Sequence, residues 1–206
     1  MNNYRIIGRF VGFGLLLAST CVFTAETNKV ATGTGSASPN IRPANWAQPV
    51  TIAGIDNCYQ VSSNLFRGAQ PTAKGMENLK NLGIKTVVNL RTFHSDKDKV
   101  AGTGLKSVRF ETEPWHADED DVIGFLKVMA DTNNLPAFVH CERGADRTGM
   151  MCAIYRIAVC GWSKDDAIAE MTEGGFRYNP AWHDLVSYIE KTDVAGLRHR
   201  AGLPEK

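Results

Sequence analysis

From residue 46 to about residue 196 the chain alternates short apolar runs with stretches in which apolar residues recur every three or four positions. Residues 64–67 and 84–90 (IKTVVNL) have the length and β-branched content of strands. The segment between them opens at Thr72, stops at Gly83 and places Met76, Leu79 and Leu82 at helical spacing, which completes a β-α-β unit. Residues 105–111 alternate Val108 and Phe110 with polar neighbours, predicting another strand; Val122, Phe125, Leu126 and Met129 then share one face of a helix. The run at 136–140 (PAFVH) is short, apolar and bounded by turn residues, as a buried central strand requires. Residues 150–160 (MMCAIYRIAVC) are apolar almost all round, so their helix is expected to be enclosed by its neighbours. Two more helices are predicted over 163–171, capped by Ser163, and 180–191, opened by Asn179-Pro180. This order of elements predicts an α/β fold, a single domain with a mostly parallel central sheet flanked by helices.

The ends read differently. Arg5 and Arg9 precede the apolar run FVGFGLLLASTCVF at 10–23, which is shorter than the ~20 residues needed to span a bilayer. Charge followed by a short apolar run is the pattern of a cleaved export signal, here over residues 1–25, with Ala25 suited to the last position. Residues 17–21 loosely match a bacterial lipobox, with Thr20 where a smaller residue is usual, so the membrane is a partner only if Cys21 is lipidated. An exported, periplasmic protein is expected. Residues 26–45 are rich in Thr, Ser, Gly, Pro and Asn and have no apolar period, which predicts a flexible linker. The folded domain is expected over 46–196 and a tail over 197–206.

Composition narrows the function. Of 206 residues 43% are hydrophobic and 22% charged, which suits one well-buried core. With 23 Lys and Arg against 22 Asp and Glu, the +1 net charge excludes the overall basic field of a general nucleic-acid binder. The 5 cysteines do not form a disulfide framework: Cys152 and Cys160 are eight residues apart, about 12 Å by helical rise, and Cys58 has no evident partner. No Cys, His and Asp set has metal-ligand spacing, and no cofactor motif is visible.

The chemistry gathers between the apolar strand ending at His140 and the apolar helix after it, in Cys141-Glu142-Arg143-Gly144-Ala145-Asp146-Arg147-Thr148. A loop of this length can curl so that successive backbone N–H groups point inward, while the following helix adds its positive end. That cradle suits a dianionic phosphate. Gly144 permits the tight reversal, and Arg147 can offer a planar fork to two phosphate oxygens. Cys141 then lies at the bottom, where the same N–H groups favour an ionised sulfur and Thr148 is placed to donate its hydroxyl to it. Glu142 and Asp146 would oppose an anion if both pointed in, so outward or loop-bracing orientations are expected.

His-Cys-x-x-Gly-x-x-Arg-Thr, from His140 to Thr148, resembles the phosphate-binding loop of the cysteine-dependent protein tyrosine and dual-specificity phosphatases, and the chain is similar to their small bacterial branch. Residues 65–71 (LFRGAQP), 87–91 (VVNLR), Gly161-Trp162-Ser163 and Gly174-Gly175-Phe176 carry the likeness across about residues 46–195. The resemblance implies phosphomonoester hydrolysis through a phosphocysteine on Cys141, with Arg147 and residues 142–148 holding the phosphate. In that family an acidic residue beside the loop arginine, here Asp146, accompanies activity on phosphoinositides or inositol phosphates in some members, so those substrates stand beside phosphoprotein. The family's general acid is an aspartate on an upstream loop. Asp118, after Pro114-Trp115-His116, is the first choice; an N-cap role is its competitor, and Glu113, His116 and Asp120 are substitutes. His140 is expected to orient the loop rather than transfer protons. The loop at 91–97 carries cations and Phe93 suited to substrate, whereas His183 and His199 show no partner pattern. A catalytically silent phosphate-binding module and a rhodanese-like sulfurtransferase are the rival readings; Arg147 and Thr148 speak against the second, an intact Cys141 against the first.

Overall fold

The computed structural model describes residues 42–113 and 115–204; the expected export signal, with Cys21, and most of the expected linker lie outside the described residues. Thr72 caps α1 (Ala73–Asn81) by accepting from the Gly75 amide at 3.1 Å, and Met76 and Leu79 are fully buried, as their spacing predicts. Leu82 departs from that prediction. It is the C-cap, past the last turn, and stands half exposed.

Around α1 lie the two strands of the expected unit, β3 (Leu65–Gly68) and β4 (Thr86–Asn89), preceded by β1 (Gln48–Pro49) and β2 (Tyr59–Gln60). A one-turn helix, α2 (Lys97–Val100), leads to β5 (Lys106–Arg109), α3 (Glu119–Ala130) and β6 (Ala137–His140). Among the described residues these six strands form one sheet in the order β1-β2-β3-β6-β4-β5, with β3, β6, β4 and β5 parallel and the β1 and β2 edge antiparallel. The two edge strands are two residues long, too short for any alternation to be read from sequence.

Alternation along the central strands splits the core into two layers. Phe66, Val87 and Phe138 pack with Met76 and Leu79 of α1, while Leu65, Val88 and Val139 pack with the helices of the opposite face. Those helices are α3, α4 (Asp146–Tyr155, continued by a π turn at Arg156–Cys160), α5 (Lys164–Glu173), α6 (His183–Lys191) and α7 (Val194–Ala201). The apolar period locates α4 four residues too late, because its first turn is polar. Arg156, inside the otherwise apolar run, is satisfied by a buried two-point ion pair with Glu170 of α5 at 2.7 and 2.8 Å. Both expected domain limits move outward. The helix α7 crosses residue 196 and buries Leu197 and Ala201, so residues 197–201 are no tail; the charges of Arg198, His199 and Arg200 masked that face. At the other end Arg42 donates to the carbonyls of Ala47 and Gly174, both at 2.6 Å, and stacks on Phe176, so 42–45 is anchored rather than linker.

Parallel register aligns Gly68, His140 and Asn89 at one end of the sheet, with Arg109 beside Asn89. Loops leaving these strand ends therefore converge on a single edge, the place where open α/β sheets bind ligands.

Candidate active site

Cys141 leaves the carboxyl end of β6, flanked by β3 and β4, and is 3% exposed. From there to α4 the chain reverses at Gly144, whose φ is +69°. A Cβ at that position would lie 2.3 Å from the Gly68 carbonyl carbon, so both its dihedral and its close approach to β3 require glycine.

Every carbonyl of the loop is bound from outside it. His140 Nδ1 donates to Cys141 O at 3.0 Å, the Gln70 amide to Glu142 O at 3.1 Å, and Asn57 Nδ2 to Arg143 O at 2.9 Å. Arg67, fully buried on β3, donates from Nη2 to Gly144 O and Ala145 O at 2.8 and 3.2 Å, with its guanidinium 3.8 Å over the Phe176 ring. With the carbonyls drawn outward, the N–H groups face the interior of the curl. Among the described residues none from Glu142 to Thr148 donates to another protein group. Ala145 caps α4 without a side-chain bond, so the helix start adds further unpaired donors at the same point.

Arg147 closes the site. Its Nη1 is held by the carbonyls of Leu90 at 3.0 Å and Thr112 at 3.2 Å, beyond the ends of β4 and β5, and its Nε and Nη2 have no protein partner among the described residues. One edge of the guanidinium is thus anchored and the other is a preformed fork. Cys141, Arg143, Arg147, Glu142, Asp146, Asn179 and Trp182 line a cavity of about 350 Å³. Asp146 accepts from the Asn179 amide at 2.8 Å and Glu142 stands 3.7 Å from Arg91, yet both acids also line the cavity. A second cavity of about 240 Å³ shares Arg147 and Glu142 and adds Arg91, Thr92, Phe93, His94, Glu113 and Trp115.

Two expectations need correction. The Thr148 hydroxyl is buried without a partner and does not bond the Cys141 sulfur, because α4 starts at Asp146 and turns Thr148 into the core. Asp118 is exposed and is the N-cap of α3, accepting from Asp120 N at 2.8 Å and Asp121 N at 3.4 Å, and it lines neither cavity. The other acids of that segment are also engaged: Asp120 pairs with Arg200 at 2.9 Å and Asp121 accepts from Thr112 Oγ1 at 3.0 Å. His116 faces a different groove, with Tyr188 and Lys191. Glu113 alone among the weighed substitutes lines a cavity with Arg147.

His140 has the orienting place expected of it: fully buried, it bonds Cys141 O through Nδ1 and the Asp96 carboxylate through Nε2 at 2.8 Å. Sequence gives Arg67, Asn57, Gln70 and Asp96 no individual role; Arg67 and Gln70 lie in the LFRGAQP segment that carries the family likeness and Asp96 in the 91–97 loop, whereas Asn57 has no signal. The four described cysteines are free, and burial pushes the Cys58 and Cys152 thiols up to about 11, leaving them inert at neutral pH.

Comparison with known proteins agrees with this geometry. Residues 39–178 match the family described as DSP-PTPase phosphatase fused to NAD+ kinase. The chain is 38% identical over 161 residues to the dual specificity protein phosphatase TpbA of Pseudomonas aeruginosa, covering 76% of this chain and 71% of the relative. It is 25% identical to the inositol diphosphatase DSP3 of Arabidopsis thaliana, over 71% of this chain and 75% of that one. The crystal structure of P. aeruginosa TpbA superposes with a TM-score of 0.69 at 32% identity, over 79% of this chain and 99% of that one. A cysteine-to-serine TpbA in complex with pTyr gives the same TM-score of 0.69 at 31% identity, again over 79% and 99% of the two chains. The chain therefore belongs to the tyrosine and dual-specificity phosphatase family, the cysteine-dependent phosphoric monoester hydrolases.

Proposed function

We propose that the chain hydrolyses aryl phosphomonoesters, phosphotyrosine in protein being the natural class, through a phosphocysteine on Cys141. The observation that carries this reading is the set of five outward-bound carbonyls around the Cys141 loop, which leaves N–H groups to cradle a phosphoryl group. The Cys141 sulfur attacks phosphorus in line and the P–O ester bond breaks, while Arg147 and the N–H groups hold the equatorial oxygens. Water then attacks phosphorus, forming a new P–O bond as the P–S bond breaks, which releases phosphate and restores the thiolate.

The aryl preference rests on the neighbouring cavity. Phe93, 90% exposed, and Trp115, 54% exposed, line it together with Arg147, where they can flank a phenyl ring. Glu142 and Asp146 line the main cavity together with Arg143 and Arg147, so its formal charges balance. TpbA was captured with pTyr, which agrees; the diphosphatase relatives support an inositol phosphate as the second reading.

Glu113 is assigned the proton for the leaving oxygen and, afterwards, activation of the water, because it lines a cavity with Arg147 and its carboxylate has no partner among the described residues. A leaving-group series tests this together with the activity. Wild type should turn over phenyl and p-nitrophenyl phosphate without added metal. Glu113→Gln should lower kcat/KM on phenyl phosphate by ~10² to 10⁴ and spare kcat/KM on p-nitrophenyl phosphate, while kcat on both falls with the slower hydrolysis of the shared phosphocysteine. Asp118→Asn should keep the cap of α3, since asparagine caps a helix about as well as aspartate, and leave the rates on both esters unchanged. Leaving-group dependence in Asp118→Asn would return the acid to that residue, and a wild type inert on both esters would remove the aryl reading.

Export is part of the same proposal, motivated by Arg5, Arg9 and the apolar run at 10–23. Fractionation should place a chain shortened by about 25 residues in the periplasm, or one shortened by about 20 residues in the membrane if Cys21 is lipidated. An intact amino terminus in the cytoplasm overturns it.

A further inference from the structure

We infer that Asp96 is a positioning residue of the nucleophile, holding His140 as an imidazolium whose second N–H fixes the Cys141 carbonyl. The inference rests on the phosphatase reading of Cys141.

The chain of contacts is short and dry. Asp96 follows β4 in the loop before α2, is 2% exposed, and brings Oδ2 to 2.8 Å from His140 Nε2. Its other oxygen, Oδ1, accepts from Gln70 Nε2 at 2.8 Å. His140 Nδ1 faces the Cys141 carbonyl at 3.0 Å, and a carbonyl only accepts, so that nitrogen carries a proton. Nε2 faces a carboxylate, which also accepts. A neutral ring serves one of these oxygens by donation; an imidazolium serves both.

The surroundings keep Asp96 charged. Burial alone would raise its pKa, but the hydrogen bond and charge of His140, the Gln70 amide and the nearby Lys99 outweigh it and hold it below the ordinary value. The groups facing the pair are Gln70 from the β3–α1 loop, Lys99 from α2, the Cys141 carbonyl and, stacked at 6.0 Å, Phe138 of β6. Arg91 donates to Gln70 Oε1 at 3.2 Å and lines the substrate-side cavity, so the pair is linked to the surface through one side chain.

Two things follow for the reaction. The imidazolium puts a fixed positive charge one residue from the attacking sulfur, and its Nδ1–H sets the peptide plane from which the loop begins to curl. Asp96→Asn preserves the shape: the amide can donate to a bare Nε2 while Nδ1–H still holds the carbonyl, but the ring becomes neutral. The expected result is a folded enzyme whose kcat/KM falls about tenfold on the acidic limb and recovers as pH rises, a displacement of about one pH unit. A merely structural carboxylate predicts a loss independent of pH. The second measurement uses wild type: ¹⁵N chemical shifts of the His140 ring near neutral pH should show both nitrogens protonated. A neutral ring, or an Asp96→Asn profile that coincides with wild type or drops equally at every pH, overturns the inference, and the ring shifts decide if the variant does not fold. Wild-type turnover abolished by Cys141→Ser, measured alongside, keeps failure of the phosphatase reading separate from failure of this one.

Discussion

Replacing Cys141 by serine should abolish turnover while preserving recognition of the phosphoryl group. Serine is nearly isosteric, and none of the groups that shape the loop depends on the sulfur: Gln70, Asn57 and Arg67 hold backbone carbonyls, and Arg147 is fixed by Leu90 and Thr112. What changes is the nucleophile. A hydroxyl stays protonated where a thiol ionises, and no base lies beside it, since both nitrogens of His140 are committed to Cys141 O and Asp96. The expected fall in kcat is ~10⁴ to ~10⁶, the scale reached when a covalent nucleophile is removed. Inorganic phosphate or sulfate should still bind with an affinity within a few fold of wild type, by calorimetry. Substantial residual turnover at saturating aryl phosphate would place the attacking atom elsewhere, and loss of anion binding together with turnover would mean that the sulfur shapes the cradle.

Much of this site is legible in the sequence because its parts are local. One strand, one loop and one helix start supply the nucleophile, the glycine reversal and the fork within eight residues, Cys141 to Thr148, and the apolar run at 137–140 announces the central strand. The parts that escape are held by long-range contacts. Asn57 is 86 residues from the carbonyl it binds, Arg67 is 77 from Gly144, and Asp96 is 44 from His140. Nothing in the local pattern around Asn57 or Asp96 separates them from ordinary loop residues, and only the parallel register brings their loops to one edge. Asp118 shows the opposite error. An aspartate just ahead of an amphipathic helix satisfies both an N-cap and a loop acid, and the backbone amides of Asp120 and Asp121 claim it. Thr148 was misplaced because the helix start was read from its apolar face, whereas the polar first turn already belongs to α4.

Arg147→Lys is the other substitution with a large expected effect, and its geometry separates recognition from mere charge. The arginine performs two tasks at once. Nη1 is tied to Leu90 O and Thr112 O, which joins the loop to the ends of β4 and β5, and the Nε and Nη2 edge is left to meet two phosphoryl oxygens. A lysine ammonium is a single point with three donors. It can replace the anchor or the fork, not both, and reaching the carbonyls draws it away from the phosphoryl group. In the transition state the equatorial oxygens carry charge that the fork meets head on, and loss of one such donor costs ~10² to ~10³ in kcat. Two donors and their fixed geometry are lost here, so kcat/KM should fall by ~10³ or more, most of it in kcat, since the loop N–H groups still bind the ground-state dianion. Thermal stability should move little, because the ammonium can still satisfy one of the carbonyls. If kcat/KM of Arg147→Lys stays within tenfold of wild type, the guanidinium is only a strap between strands and the oxygens of the substrate are held by the backbone alone.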